Sequence, residues 1–475
     1  MFKKIFRGCL VFIGLIILAV GGLVGVAFAG STGDWDWSWE DPLADVSWDG
    51  SYAGSYSLQV EPFSALVTEP VDISASGFTP NQLVGVRAKT VDKDGNSWES
   101  AALFEADGSG NIDLARQAPV SGSYEGVAPM GLFWSMRPTE VQSNNHFQSD
   151  DSRYTVALSL EANGQILQEA VVERLKVSPE VVRQDVSENG VRGVLYYPEN
   201  GETLPSVFVI GGSEGGIPAE RAALWASQGY AAFAIGYFGY EGGPKILSEI
   251  PLETFDAGLS WLKEQPMVDA DRIALASYSR GTEAGLLTAA SHPEIAAVIA
   301  EVPSFVVWSG LDFSSQSENR GEVASAWTRN GEQLPANSNS FSMEILRAML
   351  GRPAVMHDTF QAGLNAPKEG SIIPVEEIQA PILLISSSDD MLWPSTEFAD
   401  KIVARLESNR FEYDIQQVQL EGAGHFVKPE FEPPVYIIGD PPTVSVIGGT
   451  REANGKASAV LWRAETEFLA QHLGR

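Results

Sequence analysis

The sequence predicts a two-domain protein in which an antiparallel β-sandwich precedes a doubly wound, mostly parallel α/β sheet. Between about residues 56 and 178, short runs of alternating apolar and polar residues are separated by turn signals such as Asp94-Gly95 and Asn163-Gly164. That spacing is typical of an antiparallel sandwich. From about residue 179 to 475, continuous apolar runs alternate with amphipathic helical segments. This second pattern indicates parallel strands that are buried on both faces by helices.

The apolar runs of the second domain are the predicted strands of the parallel sheet. They are LPSVFVIGG (204–212), YAAFAIGY (230–237), RIALAS (272–277) and PILLISS (381–387). In such sheets ligands bind at the carboxyl ends of the strands, so the loops that follow these runs are where a site is expected. Residues 305–375 interrupt the alternation, and we expect them to form a cap over the pocket.

Composition excludes several classes of function. The chain has 31 basic and 62 acidic residues and a net charge of −31, which would repel a nucleic acid. Its one cysteine, Cys9, excludes a disulfide or a cysteine nucleophile in the folded body. The glycines of GGSEGG (211–216) lack the nucleotide-binding order, and the histidines do not form a metal motif. No cofactor, metal or protein partner is predicted.

Residues 1–30 contain Lys3, Lys4 and Arg7 followed by the uncharged run 9–29. About 20 apolar residues cross a bilayer as a helix, which favours a retained membrane anchor. A removable signal peptide is the alternative, because small residues precede Gly30. Either way the charge distribution predicts that the body lies outside the cytoplasm, anchored or secreted. Residues 31–55 then form an acidic, Trp-rich linker.

The stretch ALASYSRGTEAG (274–285) indicates a nucleophile turn. A buried strand ends at Ser277-Tyr278-Ser279-Arg280-Gly281, and a helical pattern begins at once. The α/β-hydrolase elbow is G-x-S-x-G, in which small residues allow the strand and helix to pack closely. Here Ser277 occupies the first glycine position, and serine is still small. Ser279 is therefore the candidate nucleophile.

His425 is the candidate base. Of the other four histidines, His146 lies in the first domain and His292 at the far end of the elbow helix. His357 precedes every good candidate acid, and His472 lies near the chain end. His425 lies in the glycine-bearing loop EGAGHF (421–426) after a strand. That position suits the chain order of serine, acid and histidine on this fold.

The acid and the oxyanion donors come from two other strand ends. In SSSDDMLWPS (386–395) we prefer Asp390 as the acid and keep Asp389 as the alternative. The backbone N–H of Arg280 follows the nucleophile and is one predicted oxyanion donor. The second is the N–H of Ser213 or Glu214 in the loop 211–216.

Several segments carry a resemblance to a known family. They are FSALVTEPVDISASGFTPNQLVGVRA (63–88), PMGLFWSMRP (129–138), the elbow, SSDDMLWPS and GAGHFVKPEFEPP (422–434). In these segments the chain resembles the acyl-CoA thioesterase and bile acid-CoA:amino acid N-acyltransferase family. The resemblance implies hydrolysis of a fatty acyl thioester by a triad that maps onto Ser279, Asp390 and His425. The amino-acid-conjugating members use a cysteine nucleophile, whereas the serine here favours water as the acyl acceptor.

These observations predict a serine hydrolase that cleaves acyl-CoA thioesters, with a small-molecule acyl ester or thioester as substrate. An exported carboxylesterase or lipase-like enzyme is the alternative, because the body is predicted to be exported. A catalytically inactive binding module is the third possibility, because Ser277 replaces the first elbow glycine.

Overall fold

The computed structural model describes residues 39–48, 51–140, 146–149, 152–311, 324–338, 355–435, 437–438 and 445–474. Residues 1–30 lie outside these ranges, so the anchor or signal peptide stays a prediction. None of the helices in the described ranges combines the length and apolar character needed to span a membrane. Two linker tryptophans, Trp39 and Trp48, pack against a small cluster around Leu43 and Leu103 on the first domain.

The first domain contains two sheets around one core. Its strands are β1 (Ser57–Glu61), β2 (Ser64–Leu66), β3 (Asp72–Ser76), β4 (Leu83–Val91), β5 (Ser97–Glu105), β6 (Asn111–Asp113), β7 (Ser121–Gly122), β8 (Arg137–Pro138), β9 (Arg153–Ala162) and β10 (Gln165–Leu175). The smaller sheet has the order β1-β3-β6 and the larger β2-β10-β9-β4-β5-β7, with β8 on β5. Ile73 of the smaller sheet and Val86, Phe104 and Leu158 of the larger belong to one buried cluster. The short helix α1 (Gly131–Trp134) is buried in the same cluster.

The second domain is built on an eight-stranded sheet. Its strands are β11 (Val181–Glu188), β12 (Val191–Pro198), β13 (Leu204–Ile210), β14 (Ala231–Ile235), β15 (Ile250–Pro251), β16 (Val268–Tyr278), β17 (Ala297–Glu301), β18 (Trp327–Arg329), β19 (Glu332–Gln333), β20 (Ile382–Ser387), β21 (Ile415–Leu420), β22 (Ile437–Ile438) and β23 (Ser445–Val446). The main sheet has the order β11-β12-β14-β13-β16-β17-β20-β21. Pairing is antiparallel from β11 to β14 and parallel from β14 to β21. The predicted doubly wound, mostly parallel α/β-hydrolase sheet is confirmed.

Helices cover both faces of this sheet. They are α2 (Ala219–Ser227), α3 (Glu253–Lys263), α4 (Gly281–Ser291), α5 (His357–Asn365), α6 (Ser395–Ser408) and α7 (Arg451–Leu473), with a 3-10 turn at Val375–Glu377. Alternate residues of β13 point to opposite faces, since Phe208 joins the core under α3 and α4 and Val209 joins the core under α2 and α7. Because β16, β17, β20 and β21 run parallel, the carboxyl ends of β16, β20 and β21 lie at one edge of the sheet. The loops with Ser279, Asp390 and His425 begin at this edge.

Candidate active site

Ser279 lies in a strained turn between β16 and α4. Its φ angle is +52°, in the left-handed region that non-glycine residues rarely adopt. The turn is fixed on both sides: the Ser279 N–H donates to the Glu301 carbonyl at 3.0 Å. The Ser279 carbonyl accepts from the Thr282 hydroxyl at 2.7 Å. This geometry is that of a nucleophile elbow.

The crowding that the elbow motif anticipates is found at two glycines. A Cβ at Gly281 would lie 2.2 Å from the Gly211 carbonyl oxygen, so only glycine fits there. A Cβ at Gly285, one turn into α4, would lie 2.5 Å from Oγ and 2.8 Å from Cβ of Ser277. Ser277 is buried and its Oγ donates to the Ile299 carbonyl at 3.3 Å. The serine side chain at position 277 fits against the helix because Gly285, which faces it, has no side chain.

Alanine stabilises a helix by ~1 kcal/mol relative to glycine, but the clash with Ser277 costs more. Gly285→Ala is therefore expected to lower the free energy of unfolding by about 1–2 kcal/mol in total. Ser277→Gly removes the two nearest atoms that the new methyl group would meet and leaves Cδ2 of Leu275 at 2.9 Å. The double variant should therefore lose less than the sum of the two single losses. Urea denaturation of the three variants measures this coupling. Strictly additive losses would show that the two positions do not share this space.

The structure brings His425 and Asp390 to Ser279. His425 Nε2 lies 2.8 Å from Ser279 Oγ, and His425 Nδ1 lies 2.9 Å from Asp390 Oδ2. With the proton on Nδ1 bonded to the carboxylate, Nε2 is left to accept from the serine hydroxyl. Both the His425 and Asp390 side chains are nearly inaccessible, at 4% and 2% exposure. The Trp393 indole stands edge-on to the imidazole, 5.4 Å between centroids.

The two adjacent aspartates have different partners. Asp390 Oδ1 accepts from the N–H groups of Leu392 and Trp393 at 3.0 and 3.1 Å. Asp389 Oδ2 instead accepts from the Gly449 N–H at 2.9 Å. Asp390, preferred on its sequence position, is therefore the carboxylate that contacts the imidazole.

The loop 211–216 lies directly against Ser279. A Cβ at Gly212 would be 3.0 Å from Ser279 Cβ. The Glu214 carboxylate accepts from the Gly212 N–H at 3.0 Å and from the Tyr278 hydroxyl. The loop is also held by Tyr237, whose hydroxyl donates to the Gly211 carbonyl at 2.6 Å. These bonds fix the loop beside the elbow.

The three predicted oxyanion donors have N–H groups without an acceptor. Within the described part of the chain, the backbone N–H groups of Ser213, Glu214 and Arg280 donate to no protein group. A donor aimed at a developing oxyanion must be unoccupied in the free enzyme. Their role as oxyanion donors stays a prediction.

A cavity of about 360 Å³ opens beside the triad, and Ser279 and His425 line it. Its apolar wall comes from β12, the loop before α2, the carboxyl ends of β17, β20 and β21, and α7, namely Tyr196, Ile217, Val302, Ile385, Leu420 and Leu461. Its charged wall includes Lys176, Arg183, Arg221, Glu301, Lys428 and Glu430. The described parts of 305–375, the predicted cap, contribute no lining residue. The segment that follows His425, residues 426–430, lines the cavity instead.

Among the described residues, no cluster of three His, Cys, Asp or Glu side chains could hold a metal.

Comparison with known proteins identifies the family. Residues 68–188 match the acyl-CoA thioester hydrolase/BAAT N-terminal region, and residues 250–475 match the BAAT/acyl-CoA thioester hydrolase C terminal. The chain is 31% identical over 437 residues to the bile acid-CoA:amino acid N-acyltransferase of Mus musculus, covering 88% of this chain and 97% of the relative. The chain belongs to this family. It is also 28% identical to the mitochondrial acyl-coenzyme A thioesterase 2 of Homo sapiens, covering 86% of this chain and 82% of the relative.

The predicted resemblance is therefore confirmed, and so is the expectation of an enzyme of the acyl-CoA thioester hydrolase family. Two features of this family member were not anticipated from its sequence. They are a buried ion pair behind the elbow and a charged group at the cavity wall.

The ion pair joins Arg280 and Glu283. Burial raises the pKa of Glu283, although the neighbouring Arg280 opposes the shift. Glu283 Oε2 accepts from the Trp308 N–H and the Trp327 indole at 2.9 and 3.0 Å. Arg280 Nη2 donates to the Ser309 carbonyl at 3.1 Å. The described parts of the predicted cap are thus anchored behind the nucleophile turn, and Trp308 and Trp327 belong to the main core.

The charged group centres on Arg221 of α2. Its guanidinium contacts Glu301 and, at 2.6 Å, Glu465. Burial alone would lower the pKa of Arg221, but the two carboxylates raise it overall. Burial raises the pKa of Glu465 and of Glu430. Arg221 and Glu430 therefore bring a cation and a carboxyl of raised pKa to the wall of the cavity that Ser279 lines, and Glu465 lies behind Arg221.

Proposed function

We propose that this protein hydrolyses acyl-CoA thioesters to a fatty acid and CoA, with Ser279, His425 and Asp390 as the catalytic triad. The observation that carries the proposal is the continuous contact from Ser279 Oγ through His425 to Asp390, at 2.8 and 2.9 Å. It occurs in a chain whose relatives include acyl-coenzyme A thioesterases. A positioned base is what makes a serine hydroxyl nucleophilic.

The proposed reaction has two steps. Ser279 Oγ attacks the thioester carbonyl while His425 Nε2 takes its proton, and the oxyanion is bound by the N–H of Arg280 and of Ser213 or Glu214. The C–S bond then breaks, His425 returns the proton to the CoA sulfur, and an acyl ester on Ser279 remains. In the second step His425 deprotonates water, which attacks the ester carbonyl; the bond to Ser279 Oγ then breaks, His425 returns the proton to this oxygen, and the fatty acid leaves.

The nucleophile favours water over an amine as the acyl acceptor. An acyl group on Ser279 is an oxygen ester, which is less reactive towards amines than a thioester on cysteine. In the amino-acid-conjugating members that this chain resembles, cysteine is the nucleophile. We therefore place this protein with the hydrolysing members.

The cavity wall supports an anionic leaving group. Lys176, Arg183, Arg221 and Lys428 line it in a chain whose net charge is −31. Lys176, Arg183 and Arg221 each pair with a carboxylate. Lys428, three residues after His425, has no carboxylate within 4 Å in the described ranges, although its charge opposes the rise in the pKa of Glu430. Its ammonium is available to a phosphate group of CoA.

Hydrolysis of palmitoyl-CoA by the full chain tests the proposal, with thiol release as the signal and p-nitrophenyl palmitate as the matched oxygen ester. Enzyme that has reacted with a fluorophosphonate is the control. We expect thiol release that the fluorophosphonate abolishes. Turnover of the oxygen ester alone would instead favour the carboxylesterase predicted from export, and loss of both activities would favour a binding module.

A further inference from the structure

We propose that Asn454 is a positioning residue for His425, and that the first domain holds Asn454 in place through α7. The inference rests on the proposed function only in taking His425 as the base that activates Ser279. It concerns the loop that carries the imidazole, residues 422–435.

One buried side chain is bonded to two points of this loop. Asn454 Oδ1 accepts from the Gly424 N–H at 2.8 Å, next to His425. Its Nδ2 donates to the Val435 carbonyl at 3.2 Å. Asn454 is fully buried, and a buried N–H without an acceptor is costly. The amide therefore supplies Gly424 with the acceptor that keeps the loop closed.

The residues before α7 bind the acid and base loops together. The Ile447 carbonyl accepts from the His425 N–H at 2.8 Å and from the Met391 N–H at 3.3 Å. Gly448 has a φ of +92°, and a Cβ there would lie 1.8 Å from the Asp389 carbonyl oxygen. Residues 447–454 thus fix the separation of the two loops, and Asn454 is the side chain that closes this arrangement.

The first domain in turn fixes the start of α7. Gly455 packs on the Trp134 indole so closely that a Cβ would lie 2.5 Å from the ring. Arg451 Nη1 donates to the Met136 carbonyl at 2.8 Å. On the other side of the loop, the Phe431 N–H donates to the Val67 carbonyl at 2.9 Å. The domain without triad residues therefore determines where the base lies.

The test compares Asn454→Ala, Asn454→Asp and Ser458→Ala in the full chain. Ser458 is a matched control, because it is buried one turn further along α7 and its Oγ donates only to the helix carbonyl of Asn454. The readout is the second-order rate at which a fluorophosphonate labels Ser279, since this reaction needs the Ser279–His425 contact but no particular substrate. Thermal midpoints are measured in parallel.

We expect Asn454→Ala to label roughly 10- to 100-fold more slowly, because a base displaced by about 1 Å loses this much. Asn454→Asp keeps an acceptor for the Gly424 N–H and should stay within a few-fold of wild type. Ser458→Ala should label at the wild-type rate. If the alanine variant unfolds, Asn454→Leu, which has nearly the same shape, replaces it with the same expectation.

Labelling of folded Asn454→Ala or Asn454→Leu at the wild-type rate would overturn the inference. So would a variant at position 454 that is slowed no more than a Ser458→Ala protein of the same thermal midpoint. Wild-type protein that is not labelled at all would overturn the triad proposal and this inference with it. The two failures are therefore distinguishable.

Discussion

Ser279→Ala is expected to lower kcat for palmitoyl-CoA by about 10⁴- to 10⁶-fold. The substitution removes the one oxygen that His425 Nε2 contacts at 2.8 Å, so no acyl-enzyme can form. What remains is stabilisation by the oxyanion N–H groups and by binding, which retain a modest rate over uncatalysed hydrolysis. The thermal midpoint should change little, because the variant removes only a hydroxyl at a turn whose backbone bonds are unaffected. Steady-state thiol release measures the loss.

Ser277→Ala is the matched control, because it removes the other serine hydroxyl of the elbow. Its Oγ contacts the Ile299 carbonyl, away from the imidazole, so kcat should stay within a few-fold of wild type. A Ser279→Ala enzyme that keeps more than a few per cent of wild-type activity would exclude Ser279 as the nucleophile. Equal losses in the two variants would point to a folding defect of the elbow.

The parallel sheet could be predicted because its signals are local, and the contact of Ser279 with His425 and Asp390 could be predicted because chain order on this fold restricts the choice of side chains. Apolar runs such as those of β13 and β20 mark strands that are buried on both faces. Chain order and elimination then leave one histidine for one serine. The preference for Asp390 over Asp389 depends on where each carboxylate points after β20. Asp390 lies one residue further into the loop, and this position directs its carboxylate to the imidazole.

The features that escaped prediction depend on contacts between distant positions. Gly285 is an unremarkable helical glycine until the helix packs against Ser277, and Asn454 lies 30 residues from the Gly424 N–H that it accepts from. Neither pattern has a local signal. The same limit applies to the cavity wall, which Lys176 of the first domain and Lys428 of the second both line.

Asp390→Asn is expected to lower kcat for thioester hydrolysis by about 10⁴-fold, whereas Asp389→Asn should change it by less than about tenfold. An amide at position 390 would offer an N–H to His425 Nδ1, which leaves the imidazole proton on Nε2, where it cannot accept from Ser279. An amide at position 389 keeps an oxygen for the Gly449 N–H. Both variants remove one negative charge from adjacent residues, so the difference between them reports the contact with the imidazole. The reverse order of losses would make Asp389 the triad acid, and equal losses would show that the two aspartates act through the shape of their common loop.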